Sequence, residues 1–335
     1  MKKYLKSKKV WFVIVLSIAV LSGISFVALK SQDKRSLQTD TKTESTITQT
    51  EAVTIPIAMA ADDNYTYPTI VSITSLVENS SAETNYEIYI MVPGGFAEEN
   101  KQKLLGLQEK YENRCKINLI DMQDRYKNAY DKGHITTPTY YRLSLSSLLP
   151  EIDKIIWLDG DTLIFNDLTE LINIDMNNFY YKGFLDNNID GVAKFGIEND
   201  HYICAGVMLI NLEKLRQDDM EQKFEKFISE NNDKLEQHDQ TVINAMCYKN
   251  IGVLPAKYGI FNFTNVKSAR EHAGILKAKN RYTADEMQEA YENPVILHCV
   301  NKPWRKNNVY KENLWWEYAA KTGYLTEIKE KYGIV

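Results

Sequence analysis

Apolar and polar positions along this chain fall into two recurring patterns. Short apolar runs of strand length occur at residues 55–59, 86–92, 116–120, 154–158, 206–212, 253–254 and 295–298. Between them, segments 67–77, 98–112, 140–149, 215–229 and 238–248 carry apolar residues at helical spacing, with Leu104, Leu105 and Leu107 on one side of the second and Pro150 ending the third. Alternation of this kind predicts an α/β fold whose mostly parallel sheet is covered by helices on both faces. Such sheets bind ligands beyond the carboxyl ends of their strands. The residues just after each strand are therefore where chemistry is to be sought.

The amino-terminal segment breaks the pattern. Lys2, Lys3, Lys6, Lys8 and Lys9 form a basic tail (1–9), and residues 10–29 are an uncharged apolar run that would span roughly 30 Å as a helix. That length predicts a transmembrane anchor, with cleavage near Gly23 as the competing reading. The lysines place the N-terminus in the cytoplasm and the remainder in a lumen or outside the cell, as a single-pass membrane protein. Residues 30–54, rich in Ser and Thr, cannot offset their ordering entropy by burial and read as a disordered linker. A catalytic domain is expected over 55–265, completed by a C-terminal segment over 266–335.

Charge narrows the partners. Forty basic side chains face 45 acidic ones, for a net charge of −5, which offers no long-range attraction to nucleic acid. The four cysteines are scattered, with no CxxC pair, so neither a zinc cluster nor a disulfide scaffold is expected. Lys267, Arg270, Lys277, Lys279 and Arg281 form a basic stretch ahead of a helix bearing Trp315 and Trp316. That helix either packs on the catalytic domain or meets a membrane or acceptor.

Three strand ends carry residues that a core would not choose. After the first come Ala60, Ala61, Asp62, Asp63, Asn64 and Tyr65: small residues for close approach, polar edges to read a base or ribose, and an aromatic face. An ordinary capped turn is the alternative. After the fourth come Asp159, Gly160 and Asp161, two carboxylates able to share a hard divalent ion, or else the solvated acids of a hairpin turn. After the last, His298 precedes Lys302, an imidazole for a metal and an ammonium for phosphate oxygens, against the alternative of a core histidine.

In order along the chain, the run from Ala60 to Tyr65, Tyr140 to Leu143, Asp159 to Asp161, Cys204 to Leu212, His238 to Gln240, and His298 with Lys302 to Trp304 resemble glycosyltransferase family 8. That family includes lipopolysaccharide galactosyl- and glucosyltransferases and, more distantly, glycogenin. The resemblance covers roughly residues 55–304. It implies a GT-A nucleotide-sugar-binding fold, a donor such as UDP-glucose or UDP-galactose, Mn²⁺ (or Mg²⁺) as cofactor, a glycan, glycolipid or glycoprotein acceptor, and retention of anomeric configuration.

By matching position, the resemblance implies that Asp62 and Asn64 contact uracil and ribose, with Ala60 and Tyr65 lining the same pocket. It gives Asp159, Asp161 and His298 to the metal and Lys302 to the departing UDP. It sets Arg142, Asp186, Ala205, Asp239 and Gln240 around the transferred sugar. Arg142 and Asp239 have a structural ion pair as their alternative. Two features depart from the family. Cys204 stands where members often have asparagine, removing an amide from the sugar side, and only three residues separate His298 from Lys302. Gln240 is a poor nucleophile, which favours attack by the acceptor from the face that UDP leaves. A metal-dependent nucleotidyl or phosphoryl transferase and an inactive, membrane-anchored glycan-binding protein are the competing functions.

Overall fold

A computed structural model of the protein describes residues 52–129, 137–186, 190–197, 202–263, 268, 281–305 and 308–334. The expected anchor at 10–29, nearly all of the linker, and Lys267, Arg270, Lys277 and Lys279 lie outside the described residues. Among the described residues no helix is long and apolar enough to cross a membrane.

Ten strands follow along the described chain: β1 (Val53–Ala60), β2 (Thr84–Val92), β3 (Cys115–Asp121), β4 (Lys154–Leu158), β5 (Thr162–Ile164), β6 (Tyr181–Leu185), β7 (Ile203–Asn211), β8 (Ile251–Val253), β9 (Ile260–Phe261) and β10 (Ile296–His298). Seven form one sheet in the order β3-β2-β1-β4-β7-β6-β8, and the rest form a small sheet in the order β5-β10-β9. Only β7 runs against its neighbours in the large sheet. The mostly parallel α/β sheet flanked by helices is thus as expected. In β1, Ile55, Ile57, Ala58 and Met59 are all buried, the near-continuous apolar run of a strand covered on both faces. β1 begins inside the expected linker, because Val53 and Thr54 pair in register with Thr84 and Asn85.

The helix Thr66–Glu78 is buried along almost its whole length despite its hydroxyls. Two of those hydroxyls reach β5: Ser72 Oγ lies 2.9 Å from Thr162 Oγ1, and Ser75 Oγ accepts from the Ile164 amide at 3.0 Å. Small hydroxyl side chains thereby hold the helix close against β5, behind the turn that follows β4.

Several boundaries differ from expectation for physical reasons. Segment 140–149 is a 3₁₀ run over Thr137–Ser144 followed by one α turn, Leu145–Leu148. Tyr140 to Ser144 are all buried, so no solvent face exists to impose an amphipathic period. Segment 215–229 divides into Leu212–Gln217 and Met220–Asn231, broken at Asp219, whose φ of 48° cannot continue a right-handed helix. β7 ends at Asn211 because its side chain accepts from the Lys214 amide and caps the next helix. The periodicity missed β5, β6, β9 and the helices Ala284–Glu292 and Leu325–Tyr332. The C-terminal segment shares the main core: Trp315 and Ile328 are buried in the same cluster as β1.

Candidate active site

Asp159 and Asp161 sit in the turn that leaves β4 and enters β5. The Thr162 amide donates to Asp159 O at 3.2 Å, closing a β-turn. The turn is not a hairpin, because β4 and β5 belong to different sheets. It is pinned from outside by the Asp159 amide donating to Gly206 O (2.8 Å) and the Cys299 amide donating to Asp161 O (2.9 Å). Strand β10 pairs antiparallel with β5, setting His298 opposite Thr162. Sheet pairing thus carries a histidine from far along the chain to the acidic turn.

The ligand atoms of Asp159, Asp161 and His298 lie within 4.8 Å of one another. His298 Nε2 is 3.2 Å from Asp161 Oδ1 and 3.9 Å from Asp159 Oδ2. Asp161 Oδ1 is buried without a directed hydrogen bond, so its contact with His298 is electrostatic. A buried carboxylate oxygen left in this state, beside a second carboxylate and an imidazole, fits a divalent cation such as Mn²⁺. Lys302 Nζ pairs with the other oxygen of Asp161. Burial alone would raise the Asp161 pKa, but Lys302 and His298 hold it well below the usual carboxylate range. Burial lowers His298, and the Asp161 carboxylate, with Cys204 behind, more than reverses this and carries it up to about 10.

Packing leaves the imidazole little freedom. Cys204 Sγ lies 3.7 Å from Nδ1, the Phe261 ring stands 5.7 Å away edge-on, and Gly206 faces the ring. A Cβ on Gly206 would fall 2.1 Å from His298 Cε1, so only glycine fits there. The thiol that replaces the expected amide is thus turned to the histidine. All four cysteines are free and buried.

Arg142 is the hub of the second group. Its Nη2 donates to Asp159 Oδ1 at 3.0 Å, its Nη1 donates to Ala205 O, and its Nε donates to Thr139 O at 2.9 Å while lying 3.0 Å from Asp239 Oδ2. Its guanidinium stacks 4.2 Å above the Trp157 ring. Burial pushes the Asp239 carboxyl up, and although Arg142 opposes this, the nearby Asp159 charge helps bring it to about 6. Trp157 also donates its indole N–H to Asp159 Oδ1 at 2.8 Å. With Oδ1 so occupied, Asp159 turns Oδ2 toward the cluster. Sequence reasoning missed Trp157; its signal was an aromatic two residues before the first acid, on the same side of the strand.

Gln240 is held at both ends: Oε1 accepts from the Ala205 amide (2.9 Å) and Nε2 donates to Asp186 Oδ2 (3.2 Å). Gln240, Asp186 and Ala205 are therefore one connected group, joined to the first through Arg142. At the end of β1, beside Ala60, Asp62 Oδ1 accepts from the amides of Asn64 and Tyr65, both at 2.9 Å, so the capped turn foreseen as an alternative is present. Tyr65 faces the same charges: burial, with Asp161 and Asp159, lifts its hydroxyl to about 12 against the pull of Lys302. Trp315 is buried, so the C-terminal helix Glu312–Lys321 packs on the domain rather than presenting both tryptophans outward.

The family profile described as Glycosyl transferase family 8 matches residues 56–308. A "Putative glycosyltransferase" of Haemophilus influenzae is 27% identical over 302 residues, covering 82% of this chain and 86% of that protein. A lipopolysaccharide 1,2-glucosyltransferase of Escherichia coli is 26% identical over 84% of this chain and 86% of its own length. Among solved structures, the galactosyltransferase LgtC, described in complex with donor and acceptor sugar analogs, superposes with a TM-score of 0.65 at 23% identity. That match covers 80% of this chain and 96% of LgtC and shows a shared fold.

Proposed function

The chain belongs to glycosyltransferase family 8, and from that premise we propose a retaining hexosyltransferase that moves glucose or galactose from a UDP-sugar to a glycan, glycolipid or glycoprotein acceptor with Mn²⁺. The observation that carries this reading is the convergence of Asp159, Asp161 and His298, with Lys302 on the same carboxylate, at the carboxyl edge of β4. When bound, the cation supplies neutralisation of charge developing on the diphosphate.

The chain's own residues do the rest. Asp159, Asp161 and His298 would hold the ion, their positions fixed by Trp157, Arg142, Gly206 and Cys204. Lys302 brings a fixed positive charge to the side where UDP departs, and its ammonium keeps its proton: burial works against it, but Asp161 more than compensates. On the sugar side, Asp186 and the carbonyl end of Gln240 set negative potential where the ring carbon becomes electron-poor. Gln240 is committed at both ends of its amide, and Asp239 is spent on Arg142. Neither supports a covalent sugar adduct, which favours acceptor attack from the face that UDP leaves. Asp62, Asn64, Ala60 and Tyr65 are assigned to the uridine.

The assay is release of UDP from a panel of UDP-hexoses, with Mn²⁺ and with chelator. Mn²⁺-dependent turnover of UDP-glucose or UDP-galactose is expected, and its absence across the panel refutes the assignment. The proposal includes an anchor at 10–29 with the catalytic domain on the lumenal or outer side. Digestion of the domain from the cytosolic side of sealed vesicles would reverse that orientation.

A further inference from the structure

The family profile ends at residue 308, yet the chain continues into a helix, Leu325–Tyr332, that returns to the turn after β1. There Lys331 Nζ donates to Asp63 O at 2.7 Å and Tyr332 OH donates to Asn64 O at 3.3 Å. The Tyr332 ring lies 5.8 Å from Trp304, which meets Tyr65 edge-on at 6.3 Å. Two consecutive carbonyls and one aromatic side chain of a five-residue turn are thus gripped, directly or through Trp304, by the last helix.

The helix itself is anchored independently. Glu327 accepts from Tyr67 OH at 2.7 Å and pairs with Lys103 at 3.0 Å, Lys331 also lies 5.4 Å over the Tyr67 ring, and Ile328 is fully buried. From the other side, Asp63 Oδ1 accepts from the Ala97 amide (3.1 Å) and Asn100 Nδ2 (2.7 Å). Between these two clamps the turn is held by the Asp62 side chain and by the Ala61 amide, which donates to Met91 O at 3.0 Å, and Asp63 and Asn64 are exposed. Exposed turns with few buried contacts open readily, so an external clamp decides how often this one holds its shape.

We infer that the C-terminal helix is a latch that preorganises the Asp62–Tyr65 turn for the nucleoside of the donor, with Lys331 and Tyr332 as positioning residues. The nucleoside assignment rests on the proposed function; the latch on the turn does not. A preformed turn spares the ligand the cost of ordering it, so the latch acts on donor affinity and leaves the metal cluster alone.

The test uses the full-length protein and the double variant Lys331→Ala/Tyr332→Phe, which removes both donors and keeps the ring that stacks near Trp304. Without ligand, amide exchange at residues 61–66 should quicken about tenfold, while β4 and β10 are unchanged. Calorimetry should show UDP binding weakened roughly tenfold, with Mn²⁺ affinity as in the parent. Unchanged exchange in the turn overturns the latch, as does loosening spread over the whole domain. Asp62→Ala separates the two ideas. If the turn loosens in the double variant but UDP affinity is unmoved in both variants, the latch stands and the nucleoside assignment falls.

Discussion

Gly206→Ala adds one methyl group at a position where the structure leaves it no room. Its Cβ would lie 2.1 Å from His298 Cε1, 2.6 Å from Nδ1 and 2.9 Å from Nε2, whereas ordinary contact begins at 3.4 Å. The ring must therefore retreat by 3.4 − 2.1 = 1.3 Å at its nearest atom, or β7 must shift instead. A strand shift drags Asp159, whose amide donates to Gly206 O. Either way a ligand moves by about 1 Å in a site that tolerates roughly 0.2 Å. Outer-shell changes at metal sites cost about 10–100-fold in affinity, so displacing a ligand outright should exceed the upper end, about 3 kcal/mol. The strand itself should survive, since alanine is no worse than glycine in a sheet. Mn²⁺ titration by electron paramagnetic resonance measures the loss, with circular dichroism to confirm the fold. On a His298→Ala background the clash disappears, so the added methyl should then be silent. A folded Gly206→Ala protein that binds Mn²⁺ within about threefold of the parent would refute this account of the site.

Three further changes test its other parts. Asp161→Asn keeps the shape of the turn but removes a charge that Lys302 and His298 both face, and Mn²⁺-dependent UDP release should fall at least about 100-fold; near-parent turnover would remove Asp161 from the metal site. Trp157→Phe deletes the indole N–H at Asp159 while Arg142 still donates to the same oxygen, so Mn²⁺ affinity should drop about tenfold, and no change would mean that Arg142 alone orients the carboxylate. For Asp239, the unfolded chain loses its proton near pH 4 and the folded chain near 6, so in that window the folded protein binds the extra proton and its stability declines as pH rises. Asp239→Asn lacks this decline; its melting temperature relative to the parent should rise between pH 4 and pH 7, and a difference constant with pH would contradict the raised pKa.

β1, β4 and β7 were legible as near-continuous apolar runs, and β2 and β3 through the alternation of apolar residues with Asn85, Glu87, Lys116 and Asn118; the elements that escaped notice lack the length or the pattern for either signal. β6 carries Lys182 and Gly183 in its middle, and β5 and β9 are three and two residues long. The helix Ala284–Glu292 did announce itself through Thr283 and Glu286, a threonine followed three residues later by glutamate, and Thr283 Oγ1 does cap the Glu286 amide. That signal was present and unread. The break at Asp219 was beyond periodicity, because a left-handed residue other than glycine leaves no mark on the apolar pattern.

At the site, the residue types were readable but their arrangement was not. One residue apart, Asp159 and Asp161 would share one side of an extended chain, whereas they share a turn whose two strands part into different sheets. That parting is what makes room for His298: β5 leaves the large sheet and offers an edge to β10, bringing in an imidazole from 137 positions away (298 − 161 = 137). No local pattern encodes such a pairing; only the ordered set of motifs hinted at it. The same logic explains Cys204. Read alone, it is a lost amide on the sugar side. With His298 beside it, its sulfur lies behind the proposed metal ligand, so the substitution alters the support of the histidine as much as the reach toward the sugar. In the proposed reading, donor choice falls to Asp186, Gln240 and the Ala205 backbone, which are hydrogen-bonded to one another on the side assigned to the sugar.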